Sequence, residues 1–496
     1  MSSAARDRVA ILYDPALVQE LGQRMVRLFS QHLAQIEAGE GPVLNWRDPL
    51  ENIAAARKTL LTPATNERLA ERFEEMIQLA LTRGHNLHHP RYIGHQVPAP
   101  VPIAGLFDAL VSCTNQVLAI YEMGPWATAV ERALIELWGE QIGLVPGTFA
   151  GLVTHGGSLA NLTALLTARN AVCPQSWSRG LQVETRRMVM LVQGDVHYSI
   201  ARSAGILGLG TEQVIRVPLD ERRRMDAAAL RNLVDEHRAA GEHVLAVVAC
   251  ACATPVGAFD PLDEIADVCE ELGVWLHVDA AHGGAVAFSE KYRHLIRGLE
   301  RADSFICDAH KTLFVPALCA FVFYRDKRHR FTAFQQEAPY LFDPSAPGMA
   351  EYDGGMLTVE CTKRAAAYGL WGLTALCGKE LFGDLIDLTF DLAAWLYEAL
   401  REAPDFVPLY EPMCNIVVFR HVPEFMAERS AEQIGEFNRR IRRCLIESGE
   451  FYIVQTNCDG TGAIRVCVMN PLTQEEHVLQ LLEAIRRVGR ELHAAD

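Results

Sequence analysis

The sequence predicts an α/β protein: a large domain with a mostly parallel sheet, then a small α/β domain at the C-terminal end. Three observations predict it. Apolar runs recur at Met188–Val192, Val214–Val217, Val244–Cys252 and Val274–Val278, several of them ending in small residues, which is the pattern of strands buried on both faces. Helix-like stretches separate them, so the sheet is expected to carry helices on both sides. Asp279 closes one run, and Lys311 follows thirty-two residues later within Asp308-Ala309-His310-Lys311. Open α/β sheets gather their chemistry beyond the carboxyl ends of such strands, so this acid and this lysine are expected to face one crevice.

Composition sets the bounds. The chain has 496 residues, half of them hydrophobic and 22% charged, with a formal net charge of -16, so it is expected to be globular. Without a basic stripe, nucleic acid is not an expected partner, and the negative charge argues against anionic membranes. Thirteen scattered cysteines, with no Cys-x-x-Cys pair, suit buried free thiols in a reducing compartment. Residues 1–14 lack a signal pattern, and the longest apolar stretch, Val244–Val256, is too short for a membrane span and is broken by Pro255. The expected location is cytoplasmic.

In chain order, residues 1–100 read as an N-terminal helical arm and a loop. Leu17, Leu21, Met25, Leu28, Phe29, Leu33 and Ile36 give residues 14–39 an amphipathic helical spacing, opened by Asp14 and Pro15. A second helix is expected over residues 63–83, and a partner subunit could cover such an arm. The stretch from 86 to 102 is dense in His, Pro and aromatic residues and reads as a pocket-lining loop; His85, His88, His89 and His95 lack the thiolate or carboxylate that would complete a metal site. The large domain is expected over 101–385, with a helix at 126–142. There, an apolar run ends at Gly156-Gly157, and Ser158 opens a long helix. Backbone N–H groups, a hydroxyl and a helix N-terminus together suit a phosphate, although an ordinary capped helix has the same look.

His197 sits where a strand passes to a helix, placed to stack on a planar ring. Gly205, Gly208 and Gly210 have the wrong spacing and follow a helix, so no dinucleotide site is expected. His277, Asp279 and His282 could be read as a metal triplet, but no further carboxylate or cysteine supports it, and no metal is expected. Residues 331–358 read as a lid loop, and a long helix is expected from Lys363 to Arg401, with Lys363-Arg364 either helping to bind a carboxylate or, the more ordinary reading, serving as surface charges at its start. The small domain, 386–496, is expected to hold strands at 414–419, 451–454 and 463–468 and helices at 431–448 and 473–492.

The acid–lysine pair carries the chemistry. A lysine amine has a free pKa of about 10.4 and is a poor nucleophile when protonated. Capture of an aldehyde as a Schiff base removes that obstacle, and pyridoxal phosphate is the aldehyde proteins use most. A carboxylate such as Asp279 would then face the pyridine nitrogen. A buried ion pair is the ordinary alternative.

Taken together, His277-Val-Asp279-Ala-Ala281, Asp308-Ala-His310-Lys311, Gly156-Gly-Ser158 and His197-Tyr-Ser199 resemble the pyridoxal-phosphate-dependent amino-acid decarboxylases, the group that includes aromatic-amino-acid, glutamate and diaminobutyrate decarboxylases. The resemblance runs from His89-Pro90 to Asn470-Pro471. It implies the type I, aspartate-aminotransferase-like fold and an obligate homodimer with the active site at the subunit interface. It implies that Lys311 carries the cofactor as a Schiff base, that Asp279 pairs with the pyridine nitrogen, and that His197 and Ala281 flank the ring. Gly157, Ser158, Asp308 and His310 would surround the phosphate. Thr254 matches the second residue of the family's Thr-Thr turn, whereas Ala253 departs from the first. Tyr352, with Tyr340 as competitor, matches the lid tyrosine that returns a proton to the substrate carbon.

The implied reaction is decarboxylation of an L-amino acid to its amine and carbon dioxide. The same fold also supports aminotransferases, whose carboxylate-binding arginine Arg465 could supply, and carbon–carbon lyases. A catalytically silent pyridoxal-phosphate-binding regulator is the reading from another class. The residues 89–96 leave aromatic, acidic and diamino substrates open.

Overall fold

A computed structural model describes residues 3–334 and 351–495. The chain divides into two compact units: residues 96–404 with 408–419, and residues 1–95 with 405–407 and 420–496.

The larger unit is built on a seven-stranded sheet. Its strands are β1 (Ala150–Thr154), β2 (Met188–Gln193), β3 (Val214–Val217), β4 (His243–Cys250), β5 (Trp275–Asp279), β6 (Ser304–Asp308) and β7 (Ala320–Tyr324). They lie in the order β1-β7-β6-β5-β4-β2-β3. Only β7 runs antiparallel to its neighbours, β1 and β6. The other pairings are parallel. Every residue of β1, β2, β5, β6 and β7 is buried, which is why these runs carry no polar alternation.

The connections are short and sharply ended. Helix Leu262–Leu272 stops at Gly273, whose φ of +60° is a left-handed conformation, and β5 begins two residues later. Helix Gly157–Val172 starts immediately after β1 and Gly156; it packs Ala160 and Ala164 with Ile306, Ala320, Val322 and Ala281. That helix therefore bridges the carboxyl ends of β1, β6 and β5, the strands that carry the candidate chemistry.

The long helix expected from residue 363 is three elements instead. Lys363–Arg364 is a short strand paired with Val117–Leu118, followed by helices Tyr368–Cys377 and Glu380–Glu402. Lys363 is no exposed helix-start charge: it is buried, and its Nζ donates to Glu131 Oε1 at 2.7 Å and to Val153 O at 2.6 Å. Glu131 Oε1 also accepts from Val153 N, so the pair fastens β1 just before its turn. The boundary expected at residue 385 falls inside helix Glu380–Glu402, which belongs to the larger unit.

The smaller unit joins the N-terminal arm to the C-terminal segment, where three separate parts had been expected. Asp14 caps helix Pro15–Glu37 by accepting from Ala16 N, with Pro15 in the first turn. The next long helix starts at Leu69, not at 63, because Asn66–Arg68 forms a 3₁₀ turn. Helix Pro49–Leu60 was not expected. At the other end, β8 (Val454–Cys458) and β9 (Thr461–Cys467) form a hairpin closed by Asp459-Gly460, both at positive φ. The strand expected at 451–454 is thus displaced towards that turn. Helix Ala431–Ser448 covers the hairpin, opened by a Ser430–Gln433 capping box.

Candidate active site

The carboxyl ends of β1, β2, β4, β5 and β6 enclose a cavity of about 270 Å³. Gly157, Ser158, His197, Thr254, Asp279, Ala281, Asp308, His310 and Lys311 all line it. Backbone register explains the convergence. Asp279 is the last residue of β5, opposite Ile306 on β6, and Asp308 is the last residue of β6. A short helical turn, Ala309–Thr312, then brings Lys311 back over its own strand end. A larger cavity of about 460 Å³ is lined by Arg222, Asp260, Tyr292 and Met413 among others, but no lysine faces a carboxylate there.

Asp279 is held by neutral donors. Its Oδ2 accepts from Asn161 Nδ2 at 2.9 Å and its Oδ1 from Ala281 N at 3.2 Å. Asn161, missed by the sequence reading, lies one turn beyond Ser158 on the same helix and is fully buried. Its oxygen faces His277 Nε2 at 2.9 Å, and His277 Nδ1 lies 2.9 Å from Ser304 Oγ, which accepts from Trp275 Nε1. The proton directions follow from the amide. Asn161 donates to Asp279, so its oxygen accepts from His277 Nε2–H, and His277 Nδ1 accepts from Ser304. This is the neutral imidazole that burial favours: burial pushes the His277 pKa down to about 4 against the pull of Asp279.

A second branch reaches His197. Asn161 Nδ2 lies 3.0 Å from Ser199 Oγ, which lies 2.8 Å from His197 Nδ1. Ser199 N also donates to His197 Nδ1. Nδ1 therefore accepts, and the proton of the neutral ring sits on Nε2. Burial lowers the His197 pKa, with Asp279 opposing and Lys311 adding to the shift.

Lys311 Nζ lies 3.2 Å from Asp308 Oδ2. Burial alone would lower its pKa, but the carboxylates of Asp308 and Asp279 outweigh burial and raise it. Asp308 is buried, and its Oδ1 has no partner among the described residues. Gly157 accounts for part of that opening: a Cβ there would stand 2.8 Å from Asp308 Oδ2. A lysine for the aldehyde, a carboxylate for the ring nitrogen, a flat imidazole and a helix N-terminus for the phosphate fit a planar, phosphorylated aldehyde such as pyridoxal phosphate.

Two expectations fare differently. Tyr352 does not line the cavity; its ring packs edge-on against Tyr121 at 5.9 Å and beneath the Arg132 guanidinium. Tyr340 and most of the expected lid lie outside the described residues. His277, Asp279 and His282 do not converge as a metal triplet, since His277 bonds to Asn161 and Ser304. His155, also on the cavity wall, pairs with Glu360 at 2.6 Å, a contact no motif announced.

In the smaller unit, Arg465 on β9 is buried, and its Nε and Nη2 have no partner among the described residues. His85 there packs on Tyr452 and Tyr92, and burial pushes its pKa down to about 4.

Comparison with known proteins agrees with this geometry. Residues 54–422 match the pyridoxal-dependent decarboxylase conserved domain. The chain is 29% identical over 462 residues to the acidic amino acid decarboxylase of Bos taurus, covering 91% of this chain and 87% of that protein. It is 28% identical over 476 residues to the aromatic-L-amino-acid decarboxylase of Bacillus atrophaeus, covering 96% of each. The crystal structure of mouse CSAD superposes with a TM-score of 0.85 at 28% identity, covering 96% of this chain and 99% of that one. The chain belongs to the pyridoxal-dependent decarboxylase family. It is a pyridoxal-phosphate-dependent amino-acid decarboxylase, a carboxy-lyase of type I fold. The aminotransferase reading kept open by Arg465 gives way to that placement.

Proposed function

We propose that Lys311, Asp279 and His197 carry the decarboxylation of an L-amino acid, and that Gly157, Ser158, Thr254, Ala281, Asp308 and His310 complete the seat of the cofactor. The observation that carries this reading is the Lys311 ammonium 3.2 Å from Asp308, in one cavity with an Asp279 held only by neutral donors. Pyridoxal phosphate, when bound, supplies an aldehyde for Schiff-base capture and a ring that takes up the electron pair left as carbon dioxide departs.

The chain's own residues do the rest. Lys311 gives up a proton to become nucleophilic, and Asp308 is the neighbouring group that holds that charge beforehand. Asp279 keeps its carboxylate fixed by Asn161 and Ala281, so it can hold positive charge at the pyridine nitrogen without reorganising. His197 lines the cavity and, once it has taken up a proton from solvent, returns one to the substrate carbon. Tyr352 packs outside the cavity of its own chain and stays the second candidate for that proton, because the site is proposed to lie at a subunit interface. The first-turn N–H groups of Gly157 and Ser158 have no intrahelical acceptor and receive the phosphate.

The working unit is a homodimer in this reading, with the active site at the subunit interface, as the family resemblance implies. Its support is the apolar surface of the N-terminal helices, where Leu12, Tyr13, Leu50, Leu60 and Leu61 are exposed. Among the described residues no helix is long and apolar enough to cross a membrane. The thirteen cysteines form no disulfide among the described residues, and most of them are buried or partly buried, which supports a reducing, cytoplasmic location.

Mass spectrometry tests the reaction. Cofactor-loaded protein incubated with a pool of L-amino acids should produce one amine with matching loss of its parent. Keto acid formed only when a second keto acid is supplied would overturn the assignment.

A further inference from the structure

We propose that Cys252, Cys414 and His282 form a buried site for a zinc-class divalent cation on the wall of the Lys311 cavity, and that an ion bound there inhibits the enzyme. All three residues are buried, at 6%, 2% and 2% exposure. Their ligand atoms, two sulfurs and one ring nitrogen, lie within 4.8 Å of one another. The two sulfurs are 3.8 Å apart. Tetrahedral zinc with Zn–S bonds of about 2.3 Å holds two thiolates about 3.8 Å apart, so the sulfurs already stand at the spacing the ion requires.

The surroundings support a ligand set. His282 Nε2 lies 2.7 Å from Asn415 Oδ1, an acceptor, so Nε2 carries the ring proton and the lone pair sits on Nδ1. A second hydrogen bond of this kind fixes the tautomer and orientation of metal-binding histidines. Thr312 Oγ1 donates to His282 O at 2.7 Å and anchors the backbone at that point. Gly257 makes room for one sulfur: a Cβ there would stand 2.5 Å from Cys414 Sγ.

The charge balance suits a buried site. Two thiols lose their protons to solvent as the ion enters, and a dication with two thiolates and a neutral imidazole is net neutral. No electron is transferred. The donor set, two sulfurs and an imidazole, selects zinc over calcium or magnesium. Three protein ligands leave a fourth position, the pattern of an open site rather than a closed structural one. Cys252 and His282 line the Lys311 cavity, while Cys414 does not. The fourth position therefore opens to the cofactor side, where an ion competes with the groups that Lys311 and Asp279 receive.

Zinc binding is measured on cofactor-loaded protein by metal analysis after dialysis, by X-ray absorption at the zinc edge, and by amine formation. The expected result is one zinc per chain, with two sulfurs at about 2.3 Å and one nitrogen at about 2.0 Å. Amine formation falls in step with occupancy and returns with a chelator. Cys414→Ser should keep its activity without zinc, lose the sulfur shell and weaken binding about a hundredfold or more. A zinc shell of oxygen and nitrogen only, equal binding by Cys414→Ser, no stoichiometric zinc, or full activity with zinc bound would each overturn the proposal. The absorption measurement needs no variant, so a folding failure of Cys414→Ser leaves the test intact. Zinc stoichiometry and its sulfur shell are also independent of which reaction the cavity performs.

Discussion

Asp279 and Asp308 end neighbouring parallel strands, are both buried, and line the same cavity, yet they are held in opposite ways. Asp279 meets only neutral donors, Asn161 Nδ2 and Ala281 N. Asp308 faces the Lys311 ammonium at 3.2 Å and keeps one oxygen without a partner among the described residues. The difference separates two tasks a buried carboxylate can perform. A carboxylate fixed by neutral dipoles keeps its full charge for an incoming cation. A carboxylate already paired with a lysine sets that lysine's proton affinity and is re-exposed when the lysine turns to another partner.

The largest expected effect comes from breaking the pair at Asp308. Lys311→Ala should reduce amine formation below detection and abolish borohydride fixation of the cofactor to the chain. It should also leave Asp308 as a buried charge without its counter-ion, a strongly destabilising change. Turnover near the native rate would remove Lys311 from the chemistry. Next in size is Asp279→Asn, which keeps the shape and loses the charge; kcat should fall about 10²–10³-fold. Asp308→Asn should act mainly through Lys311, lowering the pH at which that amine loses its proton. Equal pH profiles for Asp279→Asn and Asp308→Asn would collapse the distinction between the two carboxylates.

Asp279 was legible in the sequence because it ends a short apolar run, and strand ends are where α/β sheets place chemistry, whereas Asp308 drew its role from the family resemblance alone. The spacing of Lys311 from Asp279 left an ordinary ion pair open, and its role came from the assembled motifs and the resemblance. What holds them was not legible. Asn161 sits in a helix among Leu, Ala and Thr, and nothing local marks it as reaching Asp279 on another element. Lys363 read as a surface charge because its partner, Glu131, lies 232 residues away. The Cys252–Cys414 contact, 162 residues apart, was invisible for the same reason. The fold's layers follow from local periodicity, while the bonds that tune each side chain come from long-range contacts that no window of sequence contains. Tyr352, placed by the resemblance alone, packs against Tyr121 within its own chain.

Smaller effects test the scaffold on the Asp279 side. Asn161→Ala removes a donor from Asp279 and an acceptor from His277 at once. Leaving two buried polar groups unsatisfied should cost about 1–3 kcal/mol each, measured by denaturant unfolding. The cost should exceed that of Ser158→Ala, whose side chain is exposed. Comparable losses for the two variants would mean that Asn161 is not the keystone of this network.

The smallest effect is a slope. His277 holds its neutral form in the fold, with a pKa of about 4 against the ordinary 6.5. Between those values the unfolded chain binds a proton that the folded chain refuses. Unfolding then takes up protons, so stability falls as pH drops from 6.5 towards 4 and is unaffected by this group above 6.5. Asp260, whose carboxyl burial pushes up to about 7 despite two backbone donors, contributes a slope of opposite sign over much of that window. The comparison must therefore be a difference between proteins. His277→Gln keeps an amide N–H for Asn161 and has no proton to gain, while Asp260 titrates alike in both. Its Tm should fall less steeply than that of the wild-type protein between pH 6.5 and 4, and the two curves should run parallel above it. Parallel curves throughout would mean that His277 titrates alike in the folded and unfolded chain and is protonated in the fold below pH 6.5. In that case Asp279 would already have a cationic neighbour network, and its contrast with Asp308 would be lost.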